Sequence, residues 1–146
     1  NQSQAVWEMS PVTTVIEERV IGWMCQLAGY GPGAAGTFTS GGTEATFTAL
    51  LAARAAKYPD AWRTGWFGKQ PPVLVHGEHA HYAVQRAAGA MGLGTDNCIA
   101  IGSTPEFKMD PVLLAETLER LHREGRDVLA VVATAGCTAV GAFDDL

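Results

Sequence analysis

Val128-Leu129-Ala130-Val131-Val132-Ala133-Thr134 is an unbroken apolar run, rich in β-branched side chains, that opens into Ala135-Gly136-Cys137-Thr138. Branching at Cβ suits a pleated strand, and the lack of polar alternation predicts a strand buried on both faces. Strands of that kind belong to parallel sheets covered by helices, so this segment sets the expectation for the rest of the chain.

Upstream of it, Asp110-Pro111 pairs a capping carboxylate with a proline at the first helical turn, ahead of Val112, Leu113, Leu114, Leu118 and Leu121. That spacing predicts a helix ending near Gly125. Cys98-Ile99-Ala100-Ile101 and Val73-Leu74-Val75 read as two further strands, with a helix from His79 to Met91 between them. The Ala- and Leu-rich segment from Thr43 to about Lys57 predicts a helix whose Phe47, Leu50, Leu51 and Ala55 stripe packs on the sheet; Tyr58 to Pro72 is a connection. Thr37-Phe38-Thr39 reads as a short strand. Ser10-Pro11 repeats the cap-plus-proline signal and starts a leading helix over 11–28, with Val12, Val15, Ile16, Val20, Trp23, Met24 and Leu27 at helical spacing. The alternation predicts an α/β fold: a three-layer α/β/α arrangement with a mainly parallel sheet and right-handed crossovers, organised as a leading helix followed by β/α units to residue 146.

The 146 residues, 47% of them apolar, are enough for one domain with a core. The net charge of −5 comes from 15 acidic and 10 basic residues that are scattered, so no footprint for nucleic acid or an anionic membrane is present. No apolar run approaches the roughly 18 to 20 residues of a membrane span, and no basic stretch precedes an apolar core at the N-terminus, which predicts a soluble, cytoplasmic protein. Cys25, Cys98 and Cys137 are odd in number and widely spaced, as reduced thiols in a core or a pocket would be. The chain stops at Asp144-Asp145-Leu146, just after a strand and its turn, and reads as a fragment.

In open α/β sheets ligands gather beyond the carboxyl ends of the strands, which directs attention to three places. In Ser40-Gly41-Gly42-Thr43-Glu44-Ala45, two glycines allow close backbone approach and a hydroxyl opens a helix whose free N–H groups attract an anion. A phosphate fits there, and so does an ordinary strand-to-helix turn capped by Thr43. No lysine follows the glycines, so this is not the nucleotide P-loop. His76-Gly77-Glu78-His79-Ala80-His81-Tyr82 is dense in histidine; a metal site competes with one imidazole lying flat against an aromatic cofactor and with hydrogen-bonded structural histidines. No remote cluster completes a metal shell, and no metal ligand is assigned. Thr134 offers a hydroxyl either to a ligand or to its own turn. Cys137, with no adjacent base, reads as a pocket-lining thiol, and Asp144 and Asp145 read as solvated acids in an exposed turn.

Four stretches, in order, resemble the group II pyridoxal-phosphate-dependent amino acid decarboxylases, a family with glutamate, aromatic amino acid, histidine and diaminobutyrate members. They are Glu8-Met9-Ser10-Pro11 with Glu17-Glu18, Thr39-Ser40-Gly41-Gly42-Thr43-Glu44-Ala45, Ala80-His81-Tyr82, and Val132-Ala133-Thr134-Ala135-Gly136 with Gly141-Ala142-Phe143-Asp144-Asp145. The resemblance spans nearly the whole chain. It implies the N-terminal part of the large domain of the aspartate-aminotransferase-like, type I fold, with pyridoxal 5'-phosphate as cofactor and active sites at a homodimer interface. By the same resemblance, Gly41, Gly42 and Thr43 bind the cofactor phosphate, His81 stacks on the pyridine ring as the catalytic histidine, and Thr134 lies near the ring hydroxyl. The activity implied is decarboxylation of an L-amino acid to its amine and CO₂.

The family's Schiff-base lysine and the acid beneath its pyridine nitrogen belong beyond Leu146, so Lys57, Lys69, Lys108 and Asp144 do not take those roles, and the segment alone is expected to be inactive. Cys137 stands where a threonine is common and Ala83 where a serine often follows. The segment Gln4-Ala5-Val6-Trp7, which resembles one bordering the partner subunit's substrate pocket, lacks a phenylalanine seen in some aromatic-specific members. Another type I lyase, or a non-catalytic or metal-binding α/β module, is the alternative reading.

Overall fold

In a computed structural model of the chain, residues 6–66 and 68–145 are described; Gln4, Ala5 and Leu146 lie outside them. The chain divides into two compact units, residues 1–41 and 42–146.

In the first unit a short 3-10 turn, Trp7–Met9, leads into α1, Pro11–Leu27. Proline at the start costs no hydrogen bond there, and the Ser10 carbonyl accepts from the Thr14 N–H at 3.2 Å and from the Thr13 and Thr14 hydroxyls at 3.1 and 3.0 Å. No residue of α1 is buried, and Val12, Val15, Ile16, Trp23, Met24 and Leu27 are all exposed. The strand expected at Thr37–Thr39 is not formed. Glu17 Oε1 accepts the Phe38 N–H at 2.9 Å and the Thr37 hydroxyl at 3.1 Å, so a backbone donor that a ladder would need goes to a carboxylate instead.

The second unit runs α2 (Gly42–Lys57), α3 (Ala61–Thr64), β1 (Val73–Gly77), α4 (Ala83–Ala90), β2 (Cys98–Ile101), α5 (Pro111–Arg123) and β3 (Val128–Val132). The strands pair in the order β2-β1-β3, both ladders parallel, with Val75 opposite Ile99 on one side and Val131 on the other. β1 is buried at every position, which its apolar run requires of a central strand. Its alternating side chains feed two cores. Leu74 packs with Leu50, Val84, Ala87, Ala88 and Met91 under α2 and α4; Val73 and Val75 pack with Ile101, Met109 and Leu121, bordered by Leu114 and Leu118 of α5. These are the three layers expected. Helices on opposite faces are what the right-handed preference yields when one crossover, through α4, runs outward from β1 and the next, through α5, runs back past it.

Three expectations need correction. β3 is not buried on both faces: it pairs only with β1 among the described strands, and Val131 is 40% exposed. On α2 the buried stripe continues from Leu50 to Arg54, one turn on, and Ala55 is exposed; the Arg54 guanidinium donates to the Met91 carbonyl at 3.2 Å. The helix expected from His79 starts only at Ala83, because Gly77 O takes the Ala80 N–H at 3.0 Å and turns the chain first. The connection after α2 also contains the short α3. Helices α4 and α5 stop alike: in each a glycine with positive φ, Gly92 (72°) or Gly125 (65°), lets the next N–H reach back to Ala88 O or Leu121 O, both at 2.9 Å. Among the described residues no helix is long and apolar enough to cross a membrane.

Candidate functional site

Because the strands are parallel, the segments that follow β1 and β3 leave the sheet at the same edge. The delayed start of α4 leaves His79–Tyr82 as a turn there, and this turn faces Thr134 and Gly136–Ala139 across a cavity of about 370 Å³. The structure therefore brings His81 and Thr134 together. Gly41, Gly42 and Thr43 are not among the lining residues; they lie exposed at the start of α2, with Thr43 inside the first turn and not at the cap. Among the described residues, apart from the adjoining backbone, nothing lies within 4 Å of where a Cβ would sit on Gly41 or Gly42, so the backbone there is open to approach.

His81 is fixed on two sides. Its Nδ1 accepts the Ala83 N–H at 3.1 Å, one of the donors left over at the start of α4, so in the neutral ring the proton sits on Nε2. The Tyr82 ring stacks against the imidazole with centroids 4.0 Å apart and planes at 34°, and the Arg86 guanidinium lies 4.3 Å over the Tyr82 ring.

Thr134 is positioned through its backbone. Its N–H donates to Asp144 Oδ2 at 2.7 Å and its carbonyl accepts the Asp144 N–H at 2.9 Å, while Asp144 Oδ1 accepts the Met109 N–H at 2.6 Å. Among the described residues the Thr134 hydroxyl makes no bond to its own turn, which leaves it for the cavity. Asp144 is thus buried, contrary to the solvated acid expected; burial is tolerated because each carboxylate oxygen meets a backbone donor. Gly77 makes room for this clamp, since a Cβ there would lie 3.3 Å from Met109 Cβ and 3.4 Å from Asp144 Oδ2. Asp145 is exposed and pairs with Lys108 at 3.3 Å.

Cys137 lines the cavity as expected. Backbone N–H groups, that of Val140 first, lower its thiol pKa against the opposing effect of burial. His76 is buried, its Nδ1 2.7 Å from Gly77 O. His79 contacts Ser103 at 3.2 Å through Nε2, and Ser103 in turn bonds the Glu78 carboxylate through both its hydroxyl and its N–H. Those two bonds, the hydroxyl's being the larger effect, hold the Glu78 carboxyl below the ordinary glutamate range. Sequence reasoning missed Asp144 and Ser103, whose partners lie 10 to 35 and 24 to 25 residues away. Among the described residues no group of three or more His, Cys, Asp and Glu is placed to hold a metal ion.

This cavity, with one clamped imidazole and one free hydroxyl, lies beyond the strand ends, the place where open α/β sheets take their ligands. The family model for the pyridoxal-dependent decarboxylase conserved domain matches residues 1–146, and the chain belongs to that family. It is 42% identical over its whole length to an L-2,4-diaminobutyrate decarboxylase of Rhizobium meliloti (strain 1021), covering 28% of that protein. It is 34% identical to human cysteine sulfinic acid decarboxylase, covering 29% of it. The crystal structure of mouse CSAD superimposes on the whole chain with a TM-score of 0.93 at 33% identity, over 30% of that structure. The chain thus spans less than a third of these relatives, and within that span its α/β layers are those of the decarboxylase large domain.

Proposed function

We propose that the chain is part of the cofactor-binding large domain of a pyridoxal-phosphate-dependent decarboxylase that converts an L-amino acid to its amine and CO₂ and works as a cytoplasmic homodimer. The observation that carries this reading is the shared cavity of His81 and Thr134, one imidazole fixed in tautomer and backed by Tyr82, one hydroxyl left unspent.

The residues present fit the cofactor. His81, held by Ala83 N–H and Tyr82, is preorganised to lie against a pyridine ring. Thr134, held by Asp144, offers its hydroxyl to the ring oxygen. Gly41, Gly42 and Thr43, at the exposed start of α2, offer backbone donors and a helix N-terminus to the phosphate. When bound, pyridoxal phosphate supplies the electron sink that makes loss of CO₂ possible. This segment's share is to orient and desolvate that ring, while the covalent anchor belongs to a lysine outside it.

The test uses the full-length protein. His81→Ala is expected to lower cofactor retention by up to about tenfold, the equivalent of one aromatic stacking contact, while His122→Ala on the exposed side of α5 leaves it unchanged. Equal effects of the two would overturn the stacking role, and a product other than CO₂ and an amine would favour another type I lyase.

A further inference from the structure

The ends of β1 and β3 and the connection from β2 to α5 meet at Asp144, and both donors that its carboxylate accepts lie within this chain. Oδ2 accepts the Thr134 N–H at 2.7 Å, just past β3, and Oδ1 accepts the Met109 N–H at 2.6 Å, just before α5. Gly77, the last residue of β1, closes the third side: a Cβ there would lie 3.3 Å from Met109 Cβ and 3.4 Å from Asp144 Oδ2. Two backbone donors converging on one buried side chain require two acceptor oxygens. A carboxylate has both, whereas an amide of the same shape has one and would turn its NH₂ toward an N–H.

The same carboxylate sits at the base of the cavity wall. The segment from Thr134 to Asp144 folds back on itself: the Asp144 N–H donates to Thr134 O at 2.9 Å, Ala135 and Phe143 form an antiparallel bridge, and the Ala142 carbonyl accepts the Gly136 and Cys137 N–H groups, both at 3.0 Å. Thr134 and Gly136–Ala139 of this turn line the cavity opposite His81, and Asp144 is not itself among the lining residues. Its neighbour Asp145 is exposed and pairs with Lys108, which makes it a control one residue away.

We propose that Asp144 is a positioning residue for the cofactor: by clamping the Thr134 and Met109 backbones together it holds the Thr134 hydroxyl in place for the ring oxygen, and it acts on cofactor affinity through Thr134. The inference rests on the cofactor reading above and adds to it a residue outside the cavity wall.

The experiment titrates the full-length apoprotein with pyridoxal phosphate, following cofactor absorbance, and records a thermal midpoint for every apo variant. Thr134→Val, which removes the hydroxyl and keeps the clamp, is expected to raise the cofactor Kd about fivefold, the equivalent of one hydrogen bond. Asp144→Asn is expected to raise it about threefold, and Asp145→Asn less than about 1.5-fold. In the Thr134→Val background Asp144→Asn adds less than about 1.5-fold, while in the Thr134→Ser background, which keeps a hydroxyl, it again adds about threefold. Gly77→Ala, which crowds the clamp from the β1 side, follows the same pattern and decides by the same criterion if Asp144→Asn does not fold. An equal loss with and without the Thr134 hydroxyl, or a lower thermal midpoint with an unchanged Kd, marks a merely structural carboxylate and overturns the proposal while leaving the cofactor reading intact. A wild-type apoprotein that binds no pyridoxal phosphate overturns that reading, and this inference with it.

Discussion

Helices α1 and α5 begin with the same signal and end in different surroundings. Ser10-Pro11 and Asp110-Pro111 each place a capping side chain before a proline, and each is followed by an apolar stripe at helical spacing. In α5 the Asp110 carboxylate accepts the Val112 and Leu113 N–H groups at 2.8 and 3.2 Å, and Leu121 is 1% exposed against Val73, Val75 and Ile101. In α1 the Ser10 hydroxyl bonds that of Thr13, and Ile16, in the middle of the stripe, is 55% exposed. Local chemistry starts a helix and marks its apolar side, but burial needs a partner surface, which, among the described residues of their own units, α5 has and α1 does not.

Deleting side-chain volume from each stripe breaks the comparison most sharply. Leu121→Ala should destabilise the fold by about 2–5 kcal/mol, through lost burial and a cavity under the sheet, while Ile16→Ala should stay within about 0.5 kcal/mol; denaturant midpoints of the two variants measure the difference. Comparable losses would show that the α1 stripe is buried in solution. Removing the cap sharpens the comparison at the helix start: Asp110→Ala should cost about 1 kcal/mol, seen as a lower thermal midpoint and faster amide exchange at Val112 and Leu113. The smallest effect falls at the other end, where Arg120 and Glu124 pair at 3.2 Å on an exposed surface. Arg120→Ala should cost about 0.3–0.5 kcal/mol, and the loss should vanish in high salt.

The site divides in a similar way. His81 and Thr134 were legible because each follows a strand, and parallel strands deliver their ends to one edge. Gly41, Gly42 and Thr43 were legible as a glycine-lined helix start, but a loop pattern carries no distance, and the cavity wall does not include them. Asp144 was misread because an acid next to an acid near a turn has no local sign of burial; its partners, Thr134 and Met109, come near only after the sheet forms. Among the readings open for the histidine cluster, the sequence does not choose for His79, since its partner Ser103 lies beyond an intervening helix and strand.

What the linear chain determined by itself was the local content: helix starts from cap and proline, strands from apolar β-branched runs, and the beat of the two that makes the sheet parallel. These depend on neighbours within a few residues, where propensity and periodicity act. The tertiary structure alone decided which apolar faces are buried and which carboxylate is clamped. Those properties depend on atoms brought together from distant positions, and hydrogen bonds and burial are set by distance in space, not along the chain.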